Sequence, residues 1–140
     1  MDTIYLKQFN NRLALEIGMN IFDLATSRNQ RIAIEIMRLN HTIFLYVDDD
    51  LSMDKNNWLR RKSNVAIQFQ QSSLNVRNSL QISNTTLGEK YGLDEKDYVA
   101  KGGAIPVFVK NVGMVGVITV SGLQDEEDHQ IIIEALKGYL

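Results

Sequence analysis

The segment 102–129, GGAIPVFVKNVGMVGVITVSGLQDEEDH, constrains the fold more than any other part of the chain. Two apolar stretches, 104–110 and 114–121, flank Asn111 and Gly113, residue types that tolerate a tight turn, which predicts a β-hairpin. Four carboxylates follow at 125–128, where the exposed N–H groups and the dipole of a helix start favour negative charge. We therefore expect an apolar hairpin that leads directly into an acidic helix.

The hydrophobic period predicts the remaining elements. Spacings of three and four indicate helices, and alternation indicates half-buried strands. The predicted helices are 11–29, about 52–79, 86–91 and 124–140, and the predicted strands outside the last hairpin are 31–39, 42–48 and 98–101. This order predicts an α/β (α+β), profilin-like fold, with a five-stranded, mainly antiparallel sheet and helices on its faces. Both faces of the last hairpin are apolar, so helices or a subunit contact must cover them.

Composition excludes several classes of function. The 140 residues suit one domain, 1–140, with a core of its own. The absence of cysteine excludes disulfides, thiolate catalysis and zinc–thiolate sites. Fifteen basic and seventeen acidic residues give a net charge of −2, which gives no reason to expect nucleic acid as a partner. No leader pattern or membrane span is found, so we expect a cytoplasmic protein without membrane contact.

The two ends of the last hairpin carry its polar chemistry. Ser121 and Gln124 have the spacing of a capping box, although Leu123 is an equally good cap. Asp125 and His129 lie four apart on the inward side of the last helix, a spacing that suits two ligands or a carboxylate that orients an imidazole. Two ligands without a third do not define a metal site, so no metal is predicted.

Glycines and a proline mark the start of the hairpin. Gly102 and Gly103 allow either a close approach of a ligand to the backbone or a tight bend. Pro106 cannot donate a ladder hydrogen bond and therefore belongs at an edge position or at a bulge. These features predict an irregular strand, which is either a protected sheet edge or the rim of a pocket.

The predicted long helix carries further candidates. Trp58 belongs to its apolar stripe, and small Ser72 and Ser73 fill a gap in that stripe and allow a neighbouring backbone to come close. Arg61 or Lys62 is expected either on a solvated face or at a carboxylate of 48–50 or of a neighbouring subunit. His41 is predicted at a hairpin tip, in solvent.

Several of these motifs carry a family resemblance. Four motifs resemble those of a branch of the heme-degrading-domain family: GG-x-x-P at 102–106, G-x-x-G-x-I-x-V-S-G at 113–122, E-E-D-H at 126–129 and Trp-Leu-Arg-Arg-Lys at 58–62. This branch is uncharacterised protein family 0303, related to HbpS and GlcG. The resemblance implies a profilin-like fold, a symmetric homo-oligomer and, as in some members, binding of heme or a related tetrapyrrole. An axial ligand would have to be His129, a tyrosine or Met114.

Two functions of different classes follow. The first is an oligomeric small-ligand-binding protein, with its pocket at Gly102, Gly103, Pro106, Ser121, Gly122, Asp125 and His129. The second is a structural or adaptor oligomer that acts through protein contacts at Trp58, Arg61 and Lys62. A hydrolase or oxygenase that uses Asp125 and His129 remains a third alternative, and no catalytic residue is assigned.

Overall fold

A computed structural model describes residues 2–38, 40–51 and 56–140. Its elements in chain order are β1 (Ile4–Leu6), α1 (Asn11–Ser27), β2 (Ala33–Arg38), β3 (His41–Val47), α2 (Trp58–Phe69), α3 (Ser73–Ile82), α4 (Leu87–Tyr91), β4 (Ala104–Val109), β5 (Gly113–Ser121) and α5 (Asp125–Ala135). A single 3₁₀ turn, Lys137–Tyr139, follows α5. Within the described ranges, no helix has the length and hydropathy needed to cross a membrane.

The five strands form one sheet in the order β1-β4-β5-β2-β3. The β1–β4 pair is parallel and the other three pairs are antiparallel. This arrangement confirms the predicted fold class, a profilin-like, mainly antiparallel five-stranded sheet with helices on its faces.

One of the predicted strands is wrong. Residues 98–101 form no strand, and β1 takes the fifth place in the sheet instead. The Val99 N–H donates to the carbonyl of Arg61 at 3.3 Å, so this segment lies along α2 and not beside another strand. Without a strand partner, apolar character alone does not produce a strand.

The main core lies between one face of the sheet and the helices α1 and α5. α1 begins at the N-cap Asn10, whose side chain accepts a hydrogen bond from the Leu13 N–H at 2.9 Å. Its apolar stripe packs with the inward-facing isoleucines of β2 and with Ile131 and Ile132 of α5. Gly18 is required in that stripe, because a Cβ there would lie 2.5 Å from the ring of Phe44.

The other face of the sheet is covered by α2, which brings Ala66 against Ala104 and Val117. The predicted helix 52–79 is in fact two helices, α2 and α3, and residues 52–55 of that prediction lie outside the described residues. Gln70 adopts a left-handed φ of 52°, and Ser72 caps α3 by accepting a hydrogen bond from the Asn75 N–H at 3.0 Å. The spacing of the apolar stripe continues across this break, which is why the sequence suggested one helix.

Ser73 has the packing role predicted for small residues at this point. Its hydroxyl accepts a hydrogen bond from the Ala104 N–H at 3.0 Å, and it is fully buried. The first residue of β4 is thereby attached to the first turn of α3. This contact fixes where the last hairpin begins.

The two hairpins are antiparallel, as predicted. In the first, Arg38 pairs with His41, so His41 belongs to β3 and not to the predicted turn Asn40-His41; Leu39 lies outside the described residues. His41 is exposed, in agreement with the prediction. In the second hairpin, Asn111 and Gly113 take φ values of 66° and 112°, as the turn requires.

Pro106 precedes the part of β4 that β1 covers, because β1 pairs only with residues from Val107 onward. A register shift follows directly, between Val107 and Phe108. The predicted placement of this proline, at an edge position or a bulge, fits this geometry.

Candidate functional site at the end of the last hairpin

A cavity of about 430 Å³ lies where β5 ends, between the first residues of α2 and those of α5. Ser121 and Gly122 form the wall contributed by the end of β5, and Trp58 and Lys62 form the wall contributed by α2. Its apolar surface is completed by Ala33, Leu51 and Leu123. The sequence predicted a pocket at this corner.

A buried ion pair forms part of the lining. The Lys62 ammonium lies 2.9 Å from Asp128 Oδ2, and the two side chains are 3% and 2% exposed. Lys62 also donates to the carbonyl of Val120 at 2.9 Å, and the Leu123 N–H donates to Asp128 Oδ1 at 3.0 Å. These contacts hold the Lys62 ammonium and the Asp128 carboxylate at the point where β5 passes into α5. The pair therefore joins the helices that cover opposite faces of the sheet.

Burial dominates the electrostatics of Asp128. It raises the pKa of this carboxyl to about 6, although the Lys62 ammonium and the Leu123 N–H act in the opposite direction. The charged form of Asp128 is thus costly inside the protein, even beside a cation. This carboxyl is therefore easier to protonate than an exposed aspartate.

The two glycines before β4 make room for this arrangement. A Cβ on Gly102 would lie 2.3 Å from the Asp125 carbonyl oxygen, so the chain passes directly against the start of α5. A Cβ on Gly103, whose φ is +130°, would lie 2.8 Å from Lys62 Nζ and 3.0 Å from Asp128 Cβ. The glycines permit a close backbone approach, and what approaches is α5 and the ion pair.

The other carboxylates at the start of α5 also have partners. Arg77 of α3 donates to Asp125 at 3.0 Å and to Glu126 at 2.7 Å, and the first of these contacts lies at the cavity rim. Hydrogen bonding to Arg77 lowers the pKa of Glu126. The N-cap of α5 is Gln124, not Ser121 or Leu123, because the helix begins only after Leu123.

The α2 wall is the aromatic part of the cavity. The Arg61 guanidinium lies 5.0 Å and the Lys101 ammonium 5.3 Å from the ring centroid of Trp58, both within the range of a cation–π contact. Arg61 also donates to the carbonyl of Glu95 at 2.9 Å. Trp58 and Lys101 line the cavity, and Arg61 does not.

The carboxylates of 48–50 do not meet Arg61 or Lys62, contrary to one of the predicted alternatives. Asp48 accepts a hydrogen bond from the Ile32 N–H at 2.7 Å, and Asp50 lies 3.6 Å from Arg31. Asp48 and Asp50 therefore interact with residues just before β2. The partner of Lys62 comes from α5 instead.

The structure brings most of the predicted site residues to this corner. Five of them line the cavity: Trp58, Lys62, Ser121, Gly122 and Asp125. Gly102 and Gly103 lie against α5 beside it, whereas Pro106 lies within β4 and His129 is buried on α5 outside the lining. Among the described residues, no group of three or more His, Cys, Asp or Glu side chains has metal-binding geometry.

Among the lining residues that the prediction missed, Asp128 and Lys101 matter most for the chemistry of the cavity. Asp128 was taken as one of four equivalent carboxylates, yet it lies four residues before Ile132, on the buried stripe of α5. That spacing was a usable signal. Lys101 belongs to the segment wrongly predicted as a strand, and no pattern in the sequence points to it.

The fold and the cavity define a class of protein, the profilin-like α/β domains with a ligand-sized cavity at the end of the last hairpin. Within this class, the chain belongs to the family described as "Haem degrading protein HbpS-like", whose model matches residues 9–137.

Relatives in sequence and structure agree with this assignment. The UPF0303 protein ZMO1353 of Zymomonas mobilis is 38% identical over 135 residues, which cover 96% of this chain and 73% of the relative. The crystal structure of the Ybr137w protein matches 96% of this chain and 80% of its own, with a TM-score of 0.87 and 26% identity. The PduOC:heme complex has the same fold, with a TM-score of 0.71 and 17% identity over 92% of this chain and 91% of its own.

Proposed function

We propose that the chain is a small-ligand-binding protein that uses the cavity between β5, α2 and α5. The observation that carries this proposal is the combination of volume and lining. About 430 Å³ falls in the range of small-molecule sites, and such sites combine an apolar or aromatic wall with a few fixed polar groups. Here Trp58 supplies the aromatic wall, and Lys101 and the Lys62–Asp128 pair supply the polar groups.

Heme or a related tetrapyrrole is the first ligand to test, because the family description names heme and the PduOC neighbour was crystallised with it. The described part of the cavity lining offers no ligand for a heme iron. None of its described lining residues is His, Cys, Met or Tyr, the side chains that ligate heme iron. Met114 lies near the opposite end of β5. A tetrapyrrole would therefore be held by its ring against Trp58 and by a carboxylate at Lys101.

Trp58, the single tryptophan of the sequence, makes this proposal directly testable, because its fluorescence reports on the cavity. We expect hemin and metal-free protoporphyrin to quench it saturably and with similar affinity, since the described lining supplies no iron ligand. Lys101→Ala should weaken both by a similar factor, whereas Lys110→Ala, an exposed lysine beside the 111–113 turn, should change neither. Quenching that does not saturate would refute tetrapyrrole binding at this cavity.

The second candidate is assembly, as a homo-oligomer with a structural or adaptor role, and a specific observation favours it. β3 is an edge of the sheet, and its seven residues include Leu45, which is 58% exposed. An edge strand with an exposed apolar side chain is a surface on which another chain can add. Sedimentation velocity tests this directly. We expect Leu45→Lys to dissociate the oligomer and Ile82→Lys, at a residue 87% exposed on α3, to leave it intact.

The two candidates give separable results. A stable monomer in the native protein would remove the assembly proposal and leave the ligand proposal untouched. An oligomer whose Trp58 fluorescence responds to no ligand would favour the adaptor function instead.

A further inference from the structure

Lys62 differs from the other lysines that the structure describes. Each of the others is exposed, whereas the Lys62 side chain is 3% exposed and Lys62 is one of the residues that line the cavity. α2 places it one turn before Ala66, on the side that faces the sheet. A ligand in the cavity is thus the group best placed to reach this amine.

A structural role alone explains the pair poorly. Apolar residues of similar volume often replace a buried ion pair with no loss of stability or with a gain. In this chain the pair also requires a glycine at position 103, because any Cβ there would come within 3.0 Å of both side chains. Buried lysines in clefts are used as amine nucleophiles, and a carboxylate within hydrogen-bond distance can accept the proton that the ammonium must lose before it reacts.

We propose that Lys62 binds its ligand covalently, by condensing with the carbonyl group of a small aldehyde or 2-oxo acid to form an imine. This inference rests on the proposed ligand site and adds a chemical class to it. Trp58 would pack against the body of the ligand, and the Lys101 ammonium, which lies over that ring, would pair with a carboxylate.

Asp128 is placed to move the protons of this reaction. Its Oδ2 lies 2.9 Å from Lys62 Nζ, and its Oδ1 is held by the Leu123 N–H. The carboxylate takes a proton from the ammonium, which leaves a lone pair on Nζ. That pair attacks the carbonyl carbon, the C=O π pair moves to oxygen, and proton transfer from nitrogen to oxygen gives a carbinolamine.

The second half of the step releases water. The protonated Asp128 donates to the carbinolamine hydroxyl, the C–O bond breaks as water leaves, and the nitrogen lone pair forms the C=N bond of a protonated imine. One amine and one carbonyl compound therefore give one imine and one water, and no oxidant or reductant is needed. Burial of this carboxyl favours the first transfer, in which it takes up a proton.

The test is reductive trapping with the full chain. The protein is incubated with pyruvate and cyanoborohydride, and the modified lysine is located by peptide mass spectrometry. We expect Lys62 to be modified at least about tenfold faster than any exposed lysine, as for an amine activated by its site. Lys110→Arg, at an exposed lysine that does not line the cavity, should leave the labelling of Lys62 unchanged. Asp128→Asn should slow labelling of Lys62 and leave the exposed lysines unchanged.

Lys62→Arg keeps a cation but cannot form an imine, and it should lose the adduct. If that variant does not fold, the lysine positions mapped in the native protein decide the question alone. Equal labelling of Lys62 and the exposed lysines, or no labelling of Lys62, would overturn the inference. Saturable quenching of Trp58 by hemin without an adduct on Lys62 would leave the ligand site standing and remove only the imine.

Discussion

The substitution Gly103→Ala tests the geometry of the site most directly. Gly103 has a φ of +130°, where L-residues are strained, and it lies against three separate groups. Its Cβ would be 2.3 Å from the carbonyl oxygen of Val120, 2.8 Å from Lys62 Nζ and 3.0 Å from Asp128 Cβ. The Val120 N–H in turn donates to the Gly103 carbonyl at 2.8 Å, so the backbone cannot withdraw without breaking that hydrogen bond.

Two costs add in this variant. Backbone strain at a residue of this φ is about 1–3 kcal/mol. Moving Lys62 away from Asp128 leaves buried charges poorly matched, and breaking such a pair costs about 3–5 kcal/mol. Partial relaxation of the lysine reduces the second cost, so we expect a total loss of about 4 kcal/mol in the free energy of unfolding. That is a large share of the roughly 5–15 kcal/mol by which domains are stable.

Gly113→Ala is the matched control. Gly113 has a φ of +112°, similar to that of Gly103, but no atom lies within 4 Å of its Cβ position. This variant therefore carries the backbone strain without the contacts. Urea unfolding of the native protein and both variants, followed by circular dichroism, gives the two losses on one scale.

We expect Gly103→Ala to be less stable than Gly113→Ala by about 2 kcal/mol or more. A Gly103→Ala chain that does not fold, beside a folded Gly113→Ala chain, would agree with this expectation. Equal losses in the two variants would refute the reasoning, because the close approach to Val120, Lys62 and Asp128 would then carry no energy.

Two further predictions concern buried polar groups near the site. The pKa of Asp128 is raised to about 6 from an ordinary value near 4, so the stability that its bound proton contributes is complete below about pH 4 and is lost by about pH 6. Relative to Asp128→Asn, the native protein should therefore lose about 3 kcal/mol of unfolding free energy between pH 4 and pH 7, as measured by urea unfolding. A difference between the two proteins that stays constant with pH would contradict the raised pKa. Ser73→Ala removes the acceptor of the buried Ala104 N–H and should cost about 1–3 kcal/mol, whereas Ser79→Ala, at an exposed position of the same helix, should change stability by less than about 0.5 kcal/mol in the same assay.

The parts of the fold that the sequence predicted are those with long, regular periodicity. α1, the β2–β3 pair, the last hairpin and α5 were all expected near their observed positions, because each buries a continuous stripe or alternating face. The errors fall where the pattern is short. β1 has three residues, and its strand state depends on pairing with β4, about 100 positions later in the chain.

The error at α2 and α3 has a different origin. The apolar stripe passes through 70–72 in register, so periodicity cannot detect that the helix ends there. The break depends on Gln70 in a left-handed conformation and on Asp2, whose side chain accepts a hydrogen bond from the Ser72 N–H at 2.9 Å. That acceptor is 70 positions away in sequence, and local pattern contains no information about it.

The ion pair of the site could have been predicted from the sequence, by a rule that applies to proteins in general. A charged residue on a buried stripe needs a partner, because an isolated charge inside a protein is too costly. Lys62 lies on the sheet-facing side of α2, and Asp128 lies on the buried stripe of α5. These are the two charged side chains among the fully buried residues that the structure describes, and they have opposite signs.

Both elements also pack against β5, so the two charges had few other partners to meet. Gly103 then has a structural role that its position before a strand did not suggest. It leaves the volume in which two side chains from opposite faces of the sheet come together beside a cavity. The glycine, the lysine and the aspartate are therefore one feature, and a change in any of them should alter stability and ligand chemistry together.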